Sequence, residues 1–255
     1  MLDAGTDIVA GVTPGKGGQE VYGVPVYNFV SEAAAEHEFD TAICFVPPFA
    51  AKDSCYEAID AGVGLVVLTT EEMELNDSVE IIEYAHAHGA TLVGPGCAGV
   101  LAPEECKVGA HPIRFFKKGH VGVVSKSGAL SYEIGKTLSD AGIGQSTIVA
   151  IGGGPLWGFT QADAVKLFDA DPETKVIVLL GSTAAKNIIG ADVRITRDRG
   201  KWFERKGIWM MATYHPSALL RDPSKKRDAW EDMQSLRDRL MDLELYNDIY
   251  QEQTP

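Results

Sequence analysis

Seven short apolar runs, separated by stretches with helical spacing, constrain the fold of this chain more than any other feature. The runs are almost continuous in Val, Ile and Leu, as expected for strands that are covered on both faces. Regular strand–helix alternation predicts an α/β fold with doubly wound parallel sheets and ligand sites at the carboxyl ends of the strands. The predicted strands are 7–12, 41–46, 64–70, 91–94, 120–125, 146–152 and 175–181, followed by one more at 207–215.

The stretches between these strands have the spacing of amphipathic helices. Asp53 and Asp77 are expected near the starts of two helices, and Gly62, Gly89 and Gly142 at the ends of three. Residues 94–119 are rich in turn-forming residues and are expected to link two α/β units. The predicted helices are 31–37, 52–61, 76–88, 128–141, 160–169, 182–190 and 223–243.

Charge is distributed unevenly along the chain. Residues 1–180 hold 10 Lys and Arg against 24 Asp and Glu, whereas residues 181–255 hold 13 against 12. A shift this sharp indicates a change of domain or of origin. The four cysteines form no C-x-x-C pair, so we expect neither an iron–sulfur cluster nor a metal site, and most of them are expected to be small buried hydrophobes. With neither a secretion signal nor a long apolar run, a cytoplasmic chain without membrane contact is expected.

Two motifs have the composition of anion sites. GVTPGKGG follows the first strand, and its Lys16 is either solvated or neutralises a phosphate. In VVSKSGALSYE a strand leads into a helix at Ser125, Ser127 and Gly128, where free amides, hydroxyls and the helix dipole converge on one point. A serine that only caps the helix explains the second motif equally well.

Eight motifs occur in order between residues 5 and 180: GVTPGKGG, G-x-PV-x-N, VPPFAAKDS, EAIDAG, GPGCAGV, KVGAHP, GHVGVVSKSGALSYE and GIGQST-x-V-x-IGGGP. As an ordered series they resemble the α subunit of succinyl-CoA synthetase, the ADP- or GDP-forming succinate–CoA ligase. The resemblance implies a Rossmann-like CoA-binding unit, a flavodoxin-like unit, and formation of succinyl-CoA from succinate, CoA and a nucleoside triphosphate with Mg²⁺. It also implies a ligase β subunit as partner.

The resemblance implies roles for three groups of residues, and the chain departs from the family at other positions. The implied roles are a CoA site for Lys16, Thr69, Thr70 and Glu71, contact with the organic acid for Tyr132, and phosphate binding for Ser125, Ser127 and Gly128. The family begins with an additional strand and a CoA-binding loop, which would precede the first residue here. Its phosphorylated histidine has no counterpart among His37, His86, His88, His111, His120 and His215. Impaired ligation is therefore expected, because the covalent relay has no carrier.

The end of the chain resembles a different family. VIVLLGSTAAKNIIG, ITRDRGKWFE and MATYHPSALLRDPSKKRDAWEDMQSLRDRL, over residues 176–245, are similar to the C-terminal part of iron–sulfur-type uracil-DNA glycosylases. The resemblance implies that His215 bonds a flipped base, that Ser217 contacts phosphate, and that Leu219 or Leu220 fills the vacated space. It implies backbone contacts for Arg197, Arg199, Lys201, Arg221, Lys225, Lys226 and Arg227. Taken by itself, a histidine in a loop is more often structural.

Our interpretation is a chimera of these two families. The predicted domains are a truncated CoA-binding domain over 1–94, a ligase-type domain over 95–180, and a glycosylase-like segment over 181–255. The predicted function is that of a succinate–CoA ligase α subunit. The alternatives are a uracil-DNA glycosylase with His215 as its catalytic residue, and an inactive fusion. Because the front half of the glycosylase family is not recognisable here, weak and salt-sensitive DNA binding without uracil excision is expected.

Overall fold

A computed structural model of the protein describes residues 1–246. The strands are Gly11–Val12 (β1), Glu20–Val21 (β2), Val24–Tyr27 (β3), Thr41–Cys44 (β4), Leu65–Leu68 (β5), Thr91–Val93 (β6), Gly99–Ala102 (β7), Cys106–Gly109 (β8), Lys118–Ser125 (β9), Gln145–Ala150 (β10), Val176–Leu180 (β11), Trp202–Arg205 (β12) and Ile208–Thr213 (β13). The helices are Val30–Glu36 (α1), Pro48–Asp60 (α2), Leu75–Ala87 (α3), Gly128–Asp140 (α4), Gln161–Ala170 (α5), Gly181–Ile188 (α6), Ile195–Asp198 (α7), Pro216–Arg221 (α8) and Lys225–Asp242 (α9).

The chain divides into two compact units, and neither is continuous in sequence. Unit 1 consists of Met1–Ile113, Val124–Tyr132 and Val149–Gln161. Unit 2 consists of Arg114–Val123, Glu133–Ile148 and the remainder of the chain from Ala162. The domain boundaries that we predicted at residues 94 and 180 remain predictions.

Unit 1 contains two small sheets and a hairpin. Strands β4, β5 and β6 are parallel and lie in that order, with β5 in the centre, and β1 pairs in parallel with β3, whose other edge carries β2. Val66, Val67 and Leu68 on β5, whose successive side chains point to opposite faces of the sheet, are fully buried, as are Ala51 and Ile81 on the covering helices α2 and α3. Burial on both sides of β5 explains its unbroken apolar sequence.

Residues 94–119, predicted as a linker, instead include the antiparallel pair β7 and β8. Gly99 and Gly109 face each other in this pair, and a Cβ on Gly99 would lie 2.1 Å from the Val108 carbonyl oxygen. Only glycine permits so close an approach of the two backbones. The turn-like composition of this stretch therefore reflects a tight hairpin.

Unit 2 is built on a sheet in which β13 lies between β12 and β11, and β9 lies on the other side of β11. β11 pairs in parallel with both β13 and β9, whereas β12 is antiparallel to β13. Helix α9 packs into this unit, since its Leu236 and Leu240 are buried. The predicted α/β class with parallel sheets is confirmed.

Helix ends were predicted better than helix starts. Gly62, Gly89 and Gly142 all adopt positive φ immediately after their helices, as predicted. Asp53 does not start a helix, because α2 begins at Pro48, where proline presets the helical φ and needs no amide partner. Asp77 lies in the first turn of α3, which begins two residues earlier. In residues 1–246, no helix has the length and hydropathy needed to cross a membrane.

Candidate functional site

Four loops meet within unit 1, each at the carboxyl end of a strand. The Gly96 amide donates to the Thr70 carbonyl at 2.9 Å, which joins the loops after β6 and β5. The Ile151 amide donates to the Ser125 carbonyl at 2.9 Å, which joins the loop after β10 to the last residue of β9. The two pairs meet at Gly152, where an added Cβ would lie 2.4 Å from the Pro95 carbonyl oxygen. This is the edge at which parallel α/β sheets bind ligands.

The loop after β9 leads directly into α4. The Ser125 hydroxyl donates to the Ser127 carbonyl at 2.9 Å and accepts from the Ser127 amide at 3.2 Å. The Ser127 hydroxyl accepts from the Leu130 amide at 3.4 Å, so Ser127 caps the helix, as one of the two interpretations of this motif expected. Further amides of the first turn have no acceptor inside the helix and give this end a partial positive charge.

Two side chains beside this helix end were not predicted. Lys126 places its ammonium 4.0 Å from the centre of the Trp157 ring, and the Trp157 indole N–H donates to the Gly152 carbonyl at 2.8 Å. The cation–π contact holds a positive charge next to Ser127. The Lys126 position is adjacent to the predicted motif, but no sequence pattern relates it to Trp157, which lies 31 residues further along the chain.

His111 is a buried residue that packs against the N-terminal part of α4. Its side chain is completely buried, its Nε2 lies 3.4 Å from the Ser131 hydroxyl, and its ring meets Tyr132 edge to face at 5.4 Å. Burial lowers the pKa of His111 to about 4, and the nearby Lys107 ammonium acts in the same direction. At neutral pH the imidazole is therefore uncharged. His111 has no predicted role in the sequence beyond its exclusion as a phosphohistidine counterpart, because an isolated histidine gives no sequence signal of burial.

The Thr69–Glu71 stretch lies in the loop after β5, but both of its threonine hydroxyls donate hydrogen bonds to backbone carbonyls. The Thr69 hydroxyl donates to the Cys44 carbonyl at 2.8 Å, and the Thr70 hydroxyl donates to the Val46 carbonyl at 2.7 Å. These bonds shape the wall of the site, and of the three residues only Glu71 is exposed. Whether the stretch contacts CoA stays a prediction.

Lys16 projects from a separate turn after β1. The Gly15 and Gly17 amides both donate to the Asn28 side-chain oxygen, at 2.9 and 3.0 Å. The loop therefore offers the exposed ammonium of Lys16 and not a cradle of free amides. In the part of the chain that the structure describes, no hydrogen bond or ion pair joins Lys16 to the four converging loops. Asn28, which belongs to the G-x-PV-x-N motif, fixes the shape of this turn.

Tyr132 lies at the edge of the candidate site, and its hydroxyl would be 3.8 Å from a Cβ added to Gly128. Burial raises the pKa of Tyr132, and the Cys97 thiol adds to this effect. Cys97 is buried, with its pKa raised to about 12 by burial, and its thiol donates to the Leu68 carbonyl at 3.2 Å. Cys44 and Cys55 are buried as well, whereas Cys106 is exposed. Most cysteines are therefore small buried residues, as predicted.

In unit 2, the His215 loop is well defined by hydrogen bonds. His215 precedes α8, and its Nδ1 accepts from the Ser217 amide at 3.1 Å and lies 2.8 Å from the Ser217 hydroxyl. An amide can only donate, so Nδ1 is unprotonated and Nε2 carries the ring proton in the neutral form. Leu220 is 80% exposed, whereas Leu219 is half-buried. Of the two candidate wedge residues, Leu220 is thus the one at the surface.

Most of the predicted DNA-contacting cations are engaged in ion pairs. Arg199 lies 2.7 Å from the buried carboxylate of Asp232, which also accepts a bond from Thr213 at 2.6 Å. Arg197, Lys201, Lys225 and Arg227 pair with Asp198, Asp222 or Glu231. Within residues 1–246, Arg221 and Lys226 make no ion pair. Fewer positive charges in this segment are therefore available to DNA than its number of Arg and Lys residues suggests.

Three family models match this chain. A CoA binding domain model matches residues 1–72, a CoA-ligase model matches residues 124–194, and a model of the uracil DNA glycosylase superfamily matches residues 164–234. The last two share residues 164–194, so the matches do not support a chimera joined at a boundary near residue 180.

Curated relatives match 71% of the chain. It is 51% identical over 181 residues to the subunit alpha 1 of an ADP-forming succinate–CoA ligase from Archaeoglobus fulgidus, a match that spans 71% of this chain and 62% of that protein. The corresponding subunit from Staphylococcus epidermidis is 51% identical over 182 residues, covering 71% of this chain and 60% of that protein. The chain thus spans about six tenths of the length of these relatives.

Two solved structures have a similar fold. A dinucleotide-forming acetyl-coenzyme A synthetase from Ca. Korarchaeum cryptofilum is 26% identical, with a TM-score of 0.58 over 66% of this chain and 37% of that one. An ATP citrate lyase from Methanothrix soehngenii, solved with citrate and coenzyme A, has a TM-score of 0.65 over 89% of this chain and 43% of that one. At 19% identity, this second likeness concerns the fold alone.

Proposed function

We propose that this chain, which over about 180 residues is homologous to the α subunits of succinate–CoA ligases, is an α-subunit-type component of such a ligase. The single observation that carries the proposal is the meeting of four loops around the start of α4. Residues far apart in sequence there surround a helix end that favours anions.

We infer the following division of roles. The first turn of α4, with Ser127 as its cap and Lys126 beside it, holds a phosphate group. Tyr132 borders the same place and contacts the organic acid. Lys16 and the Thr69–Glu71 stretch contact CoA, the lysine by neutralising one of its phosphates. The residues fit CoA in part, because Lys16 is free to bind whereas the threonine hydroxyls are engaged by backbone.

We further infer that a ligase β subunit is the partner and that a nucleoside triphosphate with Mg²⁺ is used in the joint complex. The Mg²⁺ would neutralise charge on the transferring phosphate. No cluster of three or more His, Cys, Asp and Glu side chains suited to a metal occurs among residues 1–246. We propose that the partner subunit and the nucleotide phosphates hold Mg²⁺ in the joint complex.

The anion site predicts phosphate binding by the chain alone. We expect inorganic phosphate to bind with a millimolar dissociation constant and to shift the amide resonances of residues 126–130 in an NMR titration. Lys126→Gln should weaken this binding roughly five- to tenfold, about 1–1.4 kcal/mol, because it removes a charge beside the helix end.

Lys136→Gln provides the matched control, since Lys136 lies on the same helix and pairs with Asp140 near its far end. That variant should bind phosphate like the parent chain. Equal weakening by both variants would indicate general charge screening and would contradict the proposed site. Failure to bind phosphate, together with failure to co-purify with a ligase β subunit, would remove the ligase proposal.

A second candidate function, weak DNA contact through residues 164–234, is favoured by the glycosylase model match and by the His215 geometry. The ring proton on Nε2 is free to donate to a ligand, while Nδ1 is occupied by Ser217. Leu220, on the helix that His215 caps, is largely exposed, and Arg221 of the same helix makes no ion pair with any residue of 1–246. We infer that this segment contacts DNA backbone without excising bases.

An alkaline cleavage assay on single- and double-stranded uracil substrates tests this second candidate. We expect no strand cleavage and binding that weakens steeply as salt rises, because backbone contacts release counterions. Arg221→Gln should weaken DNA binding and lower the salt dependence by about one charge. Stoichiometric cleavage that is lost in His215→Ala would overturn this expectation and make the glycosylase function the primary one.

A further inference from the structure

Unit 2 contains a cavity that neither proposed function uses. It has a volume of about 200 Å³ and lies against one face of the sheet, between α5 and α6. Its floor is formed by Ile177, Ile208 and Met210, each at most 6% exposed. Val165 of α5 and Ile188 of α6 form facing walls. The cavity is therefore a largely apolar, preformed space, which is typical of small-molecule sites.

The polar groups lie at the rim and have a net positive charge. Lys166, Asp169, Asn187 and Arg205 line the cavity beside the apolar residues. The Asp169 carboxylate is neutralised by Lys206, and the Lys166 ammonium lies 3.0 Å from Asp163. The remaining charged group is the Arg205 guanidinium.

Arg205 and Asn187 are the two rim groups that are available to a ligand. Their side chains make no hydrogen bond or ion pair with any residue in the described 1–246 range. A guanidinium presents several donors in a plane and matches the two oxygens of a carboxylate. Asn187 can add a further amide donor. An anionic ligand head is therefore favoured at this rim, and a cation is not.

The volume limits the size of the ligand. A dry protein cavity of about 150 Å³ holds benzene, an apolar molecule of six heavy atoms. A cavity of about 200 Å³ therefore accommodates roughly six to eight heavy atoms by the same measure. With an apolar floor and an anionic head group, this size corresponds to a short branched monocarboxylate. Inorganic phosphate would leave the apolar floor uncovered.

We propose that unit 2 carries a binding site for a short branched-chain monocarboxylate. Its apolar tail lies on Ile177, Ile208 and Met210, and its carboxylate meets Arg205 and Asn187. The site goes beyond the ligase and DNA functions, because none of these residues belongs to the helix end at α4 or to the His215 loop.

The full chain can be titrated with 3-methylbutanoate and followed by amide NMR. We expect a dissociation constant in the millimolar range, as befits a ligand of so few atoms, with shifts in α5, α6 and the β12–β13 pair. Two probes separate the contributions of the carboxylate charge and of the apolar tail to binding. The first, 3-methylbutanamide, keeps the shape without the charge, and acetate keeps the charge without the tail. Each should bind at least fivefold more weakly than the acid.

Variants then test the residues. Arg205→Gln should weaken binding of the acid at least fivefold, and Ile188→Trp should abolish binding by filling the cavity. Arg237→Gln, a matched loss of one guanidinium on α9, should leave the affinity unchanged. Equal binding of acid and amide by the parent chain would overturn the proposal even if a variant failed to fold. NMR shifts that map outside the cavity would also overturn the proposal. Equal weakening of acid binding by Arg205→Gln and Arg237→Gln would do the same.

Discussion

Gly152→Ala is expected to destabilise unit 1 by about 4 kcal/mol and to displace the loop after β10. Gly152 has a φ of +118°, which disfavours every side chain, and the new Cβ would lie 2.4 Å from the Pro95 carbonyl oxygen. Backbone strain in such a region costs about 1–3 kcal/mol and overpacking a further 1–3 kcal/mol. The neighbouring carbonyl belongs to backbone and cannot rotate away. Urea unfolding of parent and variant measures the difference.

Gly153→Ala is the matched control in the same loop. No heavy atom lies within 4 Å of a Cβ added to Gly153, so this variant should stay within about 0.5 kcal/mol of the parent. It should also retain the phosphate-induced NMR shifts, which we expect Gly152→Ala to lose. A Gly152→Ala variant as stable as Gly153→Ala would show that the loops do not meet as described.

The second large effect concerns acid stability and His111. Its pKa is lowered from 6.5 to about 4 in the folded chain, so the unfolded chain binds the proton first as the pH falls. Above pH 6.5 the ring is neutral in both states and has no effect. Between pH 6.5 and 4, stability should fall progressively by a total of about 3 kcal/mol, at 1.36 kcal/mol for each unit of pKa difference.

A variant isolates this effect from other titrating groups. His111→Gln keeps a neutral polar side chain at all pH values, so the stability difference between parent and variant should decrease by about 3 kcal/mol from pH 6.5 to 4. Lys107, the charged group facing the ring, is present in both the parent chain and the variant, so its contribution cancels in the difference. Asp222, whose pKa is lowered to about 2, acts only at lower pH. Parallel stability curves for parent and variant would contradict the assigned burial of His111.

Helix α2 shows which features of a helix a local sequence pattern can predict. The helical spacing was sufficient to predict this helix, and Gly62 was sufficient to predict its end, because positive φ favours glycine. Its start was predicted at residue 52, four residues too late, after Pro47 and Pro48. Proline suits both a turn and the first helical position, so the choice between them depends on the surrounding structure.

The candidate site was predicted in part. Ser127 and the start of α4 followed from a strand that ends in hydroxyl residues and a glycine, a pattern that is local in the chain. Lys16 and Thr70 were implied by family resemblance, but the engagement of the Thr70 hydroxyl by the Val46 carbonyl was not. Trp157 and His111 were missed as parts of this site because their roles depend on contacts between segments that are distant in sequence.

The sequence by itself determined the eight apolar strands and the seven longer helices, because apolar periodicity and glycine or proline punctuation act within a few residues. It did not predict the short strands β2, β3, β7, β8 and β12 or the short helices α7 and α8. Tertiary structure alone decided that His111 is buried, that Gly152 approaches the Pro95 carbonyl, and that most rear cations are paired. The cavity at Arg205 likewise depends on tertiary structure, because its walls come from α5, α6 and three strands. These features depend on which distant segments meet, and a linear pattern does not specify that.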